Sequence, residues 1–192
     1  MTGFERGKIF LAKCVFLFFP FIFACDLDGT NENPTSEVAA SAEIAARAFD
    51  FAKEYQKACA EYAWGAQDSL RKIKIDCSGL VVMCYSYAIE GTGFSLVQSD
   101  MSASFMAENA SYPASLGSLR RGDLIFMGEE DSKIVSHIAL FERAENGRIY
   151  FIDSTQKDED GDGILEINGV SSRSYEESST KFKSFGVMKL LK

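Results

Sequence analysis

The hydrophobic pattern of this chain changes period once, and that change limits the folds open to it. Up to about residue 91 apolar residues recur at helical spacing, and from Asp123 onward at strand spacing. Ile44, Ala48, Phe51, Tyr55, Ala58 and Tyr62 stand at steps of four and three. They predict one apolar helix face, with Ser36 as N-cap before Glu37 and a break at Trp64-Gly65. A second helix is expected to begin at Cys77-Ser78 and run through LVVMCYSYAI to Gly91. It is apolar nearly all round, so it should be the buried central helix. A short helix is expected near Asp100 to Asn109. Strands are expected at Asp123–Met127, His137–Glu142, Arg148–Asp153 and Gly186–Leu191. Asn146-Gly147 lies between two of them and signals a hairpin. Helices first and antiparallel strands after predict an α+β domain.

Seven of the sixteen Phe fall within the first 24 residues, in a stretch with a basic start and an apolar run from Cys14 to Ala24. Its length and flanks suit a secretory signal peptide better than a membrane span, which needs about 20 apolar residues. Ile22-Phe23-Ala24-Cys25 resembles the lipobox of bacterial lipoproteins, although that pattern usually has a smaller residue in place of Phe23. The resemblance implies lipidation at Cys25. Asp26 to Thr35 (DLDGTNENPT) reads as a solvated tether, so the folded domain is expected over residues 36–192. The expected product is an exported, membrane-anchored monomer of the cell envelope.

A formal charge of -8 argues against binding nucleic acid, and a single His excludes a multi-His zinc site. Asp158-Glu159-Asp160-Gly161-Asp162-Gly163 matches the first half of a calcium loop. The twelfth position is Gly169 rather than Glu, which excludes a full EF-hand; Glu166 falls at the ninth. The simpler reading is an acidic, Gly-rich turn, and no metal or other cofactor is expected.

The chemistry gathers around Asp76-Cys77-Ser78-Gly79. A thiolate in the first turn of a helix is stabilised by the positive end of the dipole, and Asp76 and Ser78 can cap free N–H groups there. Cys59 and Cys84 read as buried, inert cysteines, with a bridge between them left open. A nucleophilic Cys needs a base that holds the ion pair and later protonates a leaving amine; His137, beside Ser136 at a strand start, is the one candidate. If the hairpin pairs symmetrically about Asn146-Gly147, residues an even number apart on its strands can share a face. Asp153 then becomes eligible to accept the Nδ1–H of His137, with Ser154 and Gln156 as fallbacks.

Tyr62-Ala63-Trp64-Gly65, Asp76-Cys77-Ser78-Gly79-Leu80-Val81, Arg121-Gly122-Asp123-Leu124-Ile125-Phe126 and Ser136-His137-Ile138-Ala139-Leu140 occur in that order. From about residue 40 onward the chain resembles the NlpC/P60 family of papain-like cysteine peptidases of the bacterial cell wall. The resemblance implies a papain-like fold with the nucleophile Cys77 at the start of a central helix and the base His137 on an antiparallel sheet. It implies hydrolysis of peptidoglycan stem peptides, commonly after a γ-linked D-glutamate, with Tyr62, Asp76, Ser78 and Ser136 lining the substrate cleft. The family usually orients its catalytic His with a His, Asn or Gln on the next strand; this chain has no second His, which leaves Asp153. An amidase or acyltransferase could use the same pair of residues. A catalytically silent wall-binding lipoprotein is a further alternative, against which the intact Cys77 and His137 argue.

Overall fold

The computed structural model describes residues 36–67 and 73–192. The proposed signal segment, Cys14, Cys25 and the tether lie outside the described residues. The elements are β1 (Glu37–Ala39), α1 (Ala42–Lys57), β2 (Glu61–Tyr62), β3 (Lys74–Ile75), α2 (Cys77–Ala88), β4 (Ser95–Leu96) and α3 (Ala103–Glu108). They continue with β5 (Ser111–Ala114), β6 (Leu124–Met127), β7 (His137–Glu145), β8 (Arg148–Lys157), β9 (Ile167–Glu176) and β10 (Phe182–Leu191). Among the described residues, eight strands form one antiparallel sheet with the path β1-β10-β6-β7-β8-β9, and β4 and β5 also pair with β10. β2 and β3 form a separate parallel pair. Helices on an antiparallel sheet are the α+β class expected from the change of period. Among the described residues, no helix is long and apolar enough to cross a membrane.

The first helix starts later than its sequence suggests. Ser36 is not its cap: Glu37–Ala39 pair with Lys189–Leu191 of β10 as an edge strand. The N-cap is Ser41, whose Oγ accepts from the Ile44 N–H at 3.2 Å. The buried face comprises Ile44, Ala45, Ala48, Phe49, Ala52 and Tyr55. Phe51 lies at its margin and stacks on Tyr87 of α2, with ring centroids 3.9 Å apart. Ala58 caps the helix end and Tyr62 lies in β2. α2 is buried on more than one face: its Leu80, Val81, Val82, Cys84 and Tyr85 are all inaccessible.

β6 carries apolar side chains on both faces because the sheet has a core on each side. Leu124 and Phe126 join Ile138, Leu140 and Ile152 in the core shared with the helices. Ile125 and Met127 join Ala139, Phe141, Ile149 and Phe151 in a second core, covered by Phe182, Phe185 and Tyr175. A run apolar at every position is what burial on both faces demands.

Besides the short strands β1, β4 and β5, the sheet holds two unforeseen features that bear on the site. β9 is absent from the expected strands, because INGVSSRSYE has few apolar residues and no sustained alternation. β7 also carries a bulge. Glu145 faces Arg148 and Arg143 faces Tyr150, yet Phe141 faces Phe151 and Leu140 faces Ile152, so Glu142 is one residue extra. The turn itself forms as its sequence demands, with Asn146 and Gly147 both at positive φ (52° and 72°).

The Arg121-Gly122-Asp123 segment locks this sheet to the helices. Buried Asp123 accepts from the Arg120 backbone N–H at 2.7 Å and from its guanidinium, which also reaches the Ala40 carbonyl at 3.0 Å. Tyr85 of α2 donates to the Gly122 carbonyl at 3.0 Å, and burial pushes its phenol well above its ordinary value. Gly122 has φ +94°, and a Cβ there would lie 1.9 Å from the Ala45 carbonyl oxygen. Gly122→Ala should therefore cost about 2 kcal/mol or more, combining a left-handed backbone penalty with a clash against backbone. Denaturant unfolding measures this; an unchanged midpoint would show that α1 can retreat freely from β6.

Candidate active site

Asp76 builds the start of α2. Its Oδ1 accepts from the Gly79 N–H at 2.6 Å and from the Ser78 hydroxyl at 3.0 Å, closing the first turn. Its Oδ2 accepts from the Gly65 N–H at 2.8 Å, and its own N–H donates to the Ala66 carbonyl at 3.0 Å. One carboxylate thus ties the Tyr62–Gly65 segment to the helix that begins with Cys77. Gly79 permits this approach, since a Cβ there would lie 2.5 Å from the Ala66 oxygen.

Cys77 is nearly buried and His137 is the first residue of β7. The His137 ring bonds Asp153, and Asp153 and Cys77 both raise its proton affinity. Its Nε2 lies 2.6 Å from Asp153 Oδ2, which leaves Nδ1 as the nitrogen for Cys77. The expected pairing of Asp153 with Nδ1 is therefore corrected to Nε2.

The reason Asp153 reaches His137 also differs from the symmetric hairpin argument. In a two-residue hairpin with Glu145 opposite Arg148, facing residues are an odd number apart. Symmetric pairing would have put Ser154 and Gln156 on the face of His137, and Asp153 on the other. The extra Glu142 shifts the register by one, so His137, Ala139 and Phe141 share a face with Phe151 and Asp153. Ser154 points to the helix side and donates to the Ile75 carbonyl at 2.6 Å. Gln156 bonds Asn168 on the surface at 3.3 Å. Neither fallback engages His137.

Asp153 has no exposed surface, and a buried carboxylate requires compensation. β9 provides it through Arg173, a residue not expected from the sequence. Arg173 Nε donates to Asp153 Oδ1 at 3.0 Å, and its Nη2 donates to Oδ2, making a two-pronged pair. Its Nη1 donates to the Tyr175 hydroxyl at 2.8 Å. The guanidinium also lies 5.3 Å from the Phe151 ring centroid. Alternation of Arg173 and Tyr175 within SSRSYE was the available signal, and it is too weak to define a strand alone.

The electrostatics follow from this layout. Burial opposes a charge on His137, but the hydrogen bonds and negative charges of Asp153 and Cys77 outweigh it. The imidazole is pushed up to about 9 from its ordinary 6.5. Burial likewise opposes ionisation of Asp153, yet His137 and Arg173 hold its carboxyl below the ordinary value. Tyr62 is raised by burial and by the charges of Cys77 and Asp76.

Two cavities flank the pair. One of about 360 Å³ is lined by Cys77, Asp76, Ser78 and Ser136, together with Trp64, Asp100, Ser102 and Ser104. Asp76, Ser78 and Ser136 therefore share a cavity with Cys77, and Tyr62 does not line it. Trp64 is 87% exposed at its rim. The other cavity, about 390 Å³, lies past His137 and includes Ser136, Thr155, Lys157, Arg173 and Lys181. Ser136 borders both.

The other cysteines take no part. Cys59, Cys77 and Cys84 are all thiols, so no Cys59–Cys84 bridge forms. Cys84 is buried as expected, but Cys59 is exposed, in a left-handed turn at φ 53° after α1. Asp158, Asp160, Asp162 and Glu166 each bring a carboxylate oxygen within 4.8 Å of the others, which is the donor set a cation would use. Asp158 already accepts from the Gly161 and Gly163 N–H groups at 2.6 and 2.9 Å, and these bonds account for the turn by themselves.

The family model of the NlpC/P60 family matches residues 59–184. The chain belongs to the NlpC/P60 family. Members are generally cysteine peptidases or hydrolases, and the matched span contains Cys77, His137, Asp153 and Arg173. Family and architecture together make this an α+β, papain-like fold. Similar solved structures include NlpC1 from Trichomonas vaginalis, 16% identical, with a TM-score of 0.48 over 81% of this chain and 47% of that one. Another is a lipoprotein-like NLP/P60 family protein from Staphylococcus aureus subsp. aureus Mu50, 21% identical, with a TM-score of 0.46 over 80% and 44%. The chain spans under half the length of either. No curated protein sequence matches it.

The site should leave a signature in stability. A His raised to about 9 from 6.5 stabilises the fold fully below pH 6.5 and loses that contribution as pH rises through 9. Asp153, being lowered, contributes above the ordinary carboxylate range and is lost towards acid. Unfolding free energy should therefore fall by on the order of 3 kcal/mol between pH 6.5 and 9.5. The His137→Gln variant should lack most of that decline; an equal decline in both would assign it to other groups.

Proposed function

We propose that this NlpC/P60 family member is a cysteine endopeptidase that hydrolyses peptidoglycan stem peptides at the bond between γ-D-glutamate and an L-diamino acid. The observation that carries the reading is the ring of His137, bonded through Nε2 to Asp153 and close enough to a cysteine in the first turn of α2 for that cysteine to raise its proton affinity. An imidazole pushed up to about 9 holds its proton at neutral pH beside the sulfur, the resting state a cysteine peptidase needs.

In this reading the Cys77 sulfur attacks the scissile carbonyl carbon. The resulting oxyanion is stabilised by backbone N–H groups at the start of α2, where the helix dipole adds to the hydrogen bonds. His137 gives its Nδ1 proton to the departing nitrogen, the C–N bond breaks, and a thioester remains on Cys77. Neutral His137 then takes a proton from water, whose oxygen attacks the thioester and releases the carboxylic acid and the sulfur. Asp153 keeps the ring oriented throughout and balances the imidazolium. Asp76, Ser78 and Ser136 bind substrate in the cleft beside Cys77, and Tyr62 contributes from outside its lining.

The same proposal places the protein in the cell envelope, exported by residues 1–24 and anchored through lipid on Cys25, with residues 25–35 as tether to a monomeric peptidase domain. Such an anchor would hold the cleft within reach of peptidoglycan.

Cys77→Ala should abolish release of stem peptides from purified peptidoglycan, followed by mass spectrometry of the soluble products. Undiminished release by that variant would overturn the assignment. For the parent, kcat/KM should fall as pH rises through about 9, because His137 then lacks the proton that the leaving nitrogen requires. A profile still flat at pH 10 would mean that His137 is not the acid.

A further inference from the structure

An Asp that orients a catalytic His needs to remain ionised, in place, and not so strongly bound to the imidazolium that the proton is trapped. Asp153 meets these conditions with help from a strand on its far side. Its carboxylate is inaccessible, and Oδ2 alone faces His137. Arg173 occupies Oδ1 through Nε and shares Oδ2 through Nη2. The guanidinium cannot lose its proton at any working pH. It cannot swing away easily either, since its third nitrogen is held by Tyr175 at 2.8 Å and its plane lies near the rings of Phe151 and Tyr175.

We infer that Arg173 is a positioning residue for the Cys77–His137–Asp153 site, acting on His137 through Asp153. Its fork fixes the plane of the carboxylate against Nε2, and its fixed positive charge offsets part of the negative charge that Asp153 presents to the ring. The inference rests on the peptidase reading for its catalytic meaning. Other titratable groups near His137 are Cys77 from α2, Lys157 from β8, and Glu129, Tyr175 and Lys181 beside the neighbouring cavity. Lys157 pairs with Glu159 at 2.9 Å, and Lys181 lies 3.7 Å from Glu130. Arg173 is thus the cation committed to Asp153.

His137 is the single His of the chain, so its imidazole gives one unambiguous signal in an NMR pH titration of the full chain. Removing a fixed positive charge makes neighbouring groups hold protons more tightly. Arg173→Gln should raise the His137 midpoint by about half a unit or more, roughly a threefold gain in proton affinity. Arg173→Lys, which keeps the charge and loses the fork, should stay nearer the parent midpoint and show a lowered kcat with little change in KM. A midpoint unchanged or lowered in Arg173→Gln overturns the inference.

If that variant does not fold, a second one that leaves Asp153 paired with a cation carries the test. Arg173→Lys loses the fork and keeps the charge, so it should move the His137 Nε2–H proton signal away from its parental position; an unmoved signal overturns the inference. The readout is proton binding, not hydrolysis. A parent protein inactive on peptidoglycan, with the midpoint displaced in the variant, would retire the peptidase reading while leaving the action of Arg173 on His137 in place; an active parent with no displacement in the variant would do the reverse.

Discussion

A carboxylate without exposed surface, Asp153, is the constraint around which one half of this molecule is arranged. Alone in an apolar setting it would take up a proton, and then could neither balance an imidazolium nor orient it as an acceptor. Two cations hold its charge from opposite sides, His137 on β7 and Arg173 on β9. For both to reach it, β8 must run between those strands, which is the observed order. The triple explains why β9 pairs with β8 over its whole length although it offers little to the core. Its contribution lies in Arg173 and Tyr175 rather than in buried apolar area.

The register of β7 decides which residue receives that environment. Because side chains alternate, one extra residue exchanges the two faces of everything beyond it. The Glu142 bulge sits between the tight turn and His137, so the turn-proximal pairs follow the simple hairpin while the pairs nearer the site do not. Here the sequence was readable only in part. Asn146-Gly147 announced the turn, because few other pairs tolerate two successive positive φ values. Nothing local marks Glu142 as a bulge. The identity of Asp153 was reachable from the sequence, but the parity argument that led there was mistaken and the bulge supplied the missing residue. β9 stayed hidden for a related reason: strands that serve polar partners lack the alternation by which strands are recognised.

The helical side was more legible, since its key residues act on near neighbours. Asp76 caps its own helix, and both Ser78 and Gly79 fall within three residues of it. Such local bonds are encoded by residue type and spacing, so Asp76-Cys77-Ser78-Gly79 pointed to a helix start with a cysteine in its first turn. The reach of Asp76 Oδ2 to Gly65 is less local. It determines that Trp64 stands exposed at the rim of the cleft beside Cys77, an outcome that composition and periodicity do not contain. The first helix shows the opposite failure: Ser36 resembles a cap as well as Ser41 does, and pairing of Glu37–Ala39 with β10 is what selects the later one.

These two halves meet in the protonation of a single ring. The helix start holds Cys77 near the ring, and the buried Asp153 favours a positive imidazole. Too much of that stabilisation would be self-defeating in the proposed reaction, because the proton must leave His137 for the departing nitrogen. A pair bound ever more tightly rests lower in energy without lowering the transition state. Arg173 works against that excess: by sharing Oδ2 it withdraws part of the field Asp153 would otherwise exert on Nε2. The sheet therefore does more than present a histidine to a cysteine. It sets how firmly that histidine holds its proton, through a charge placed two strands away.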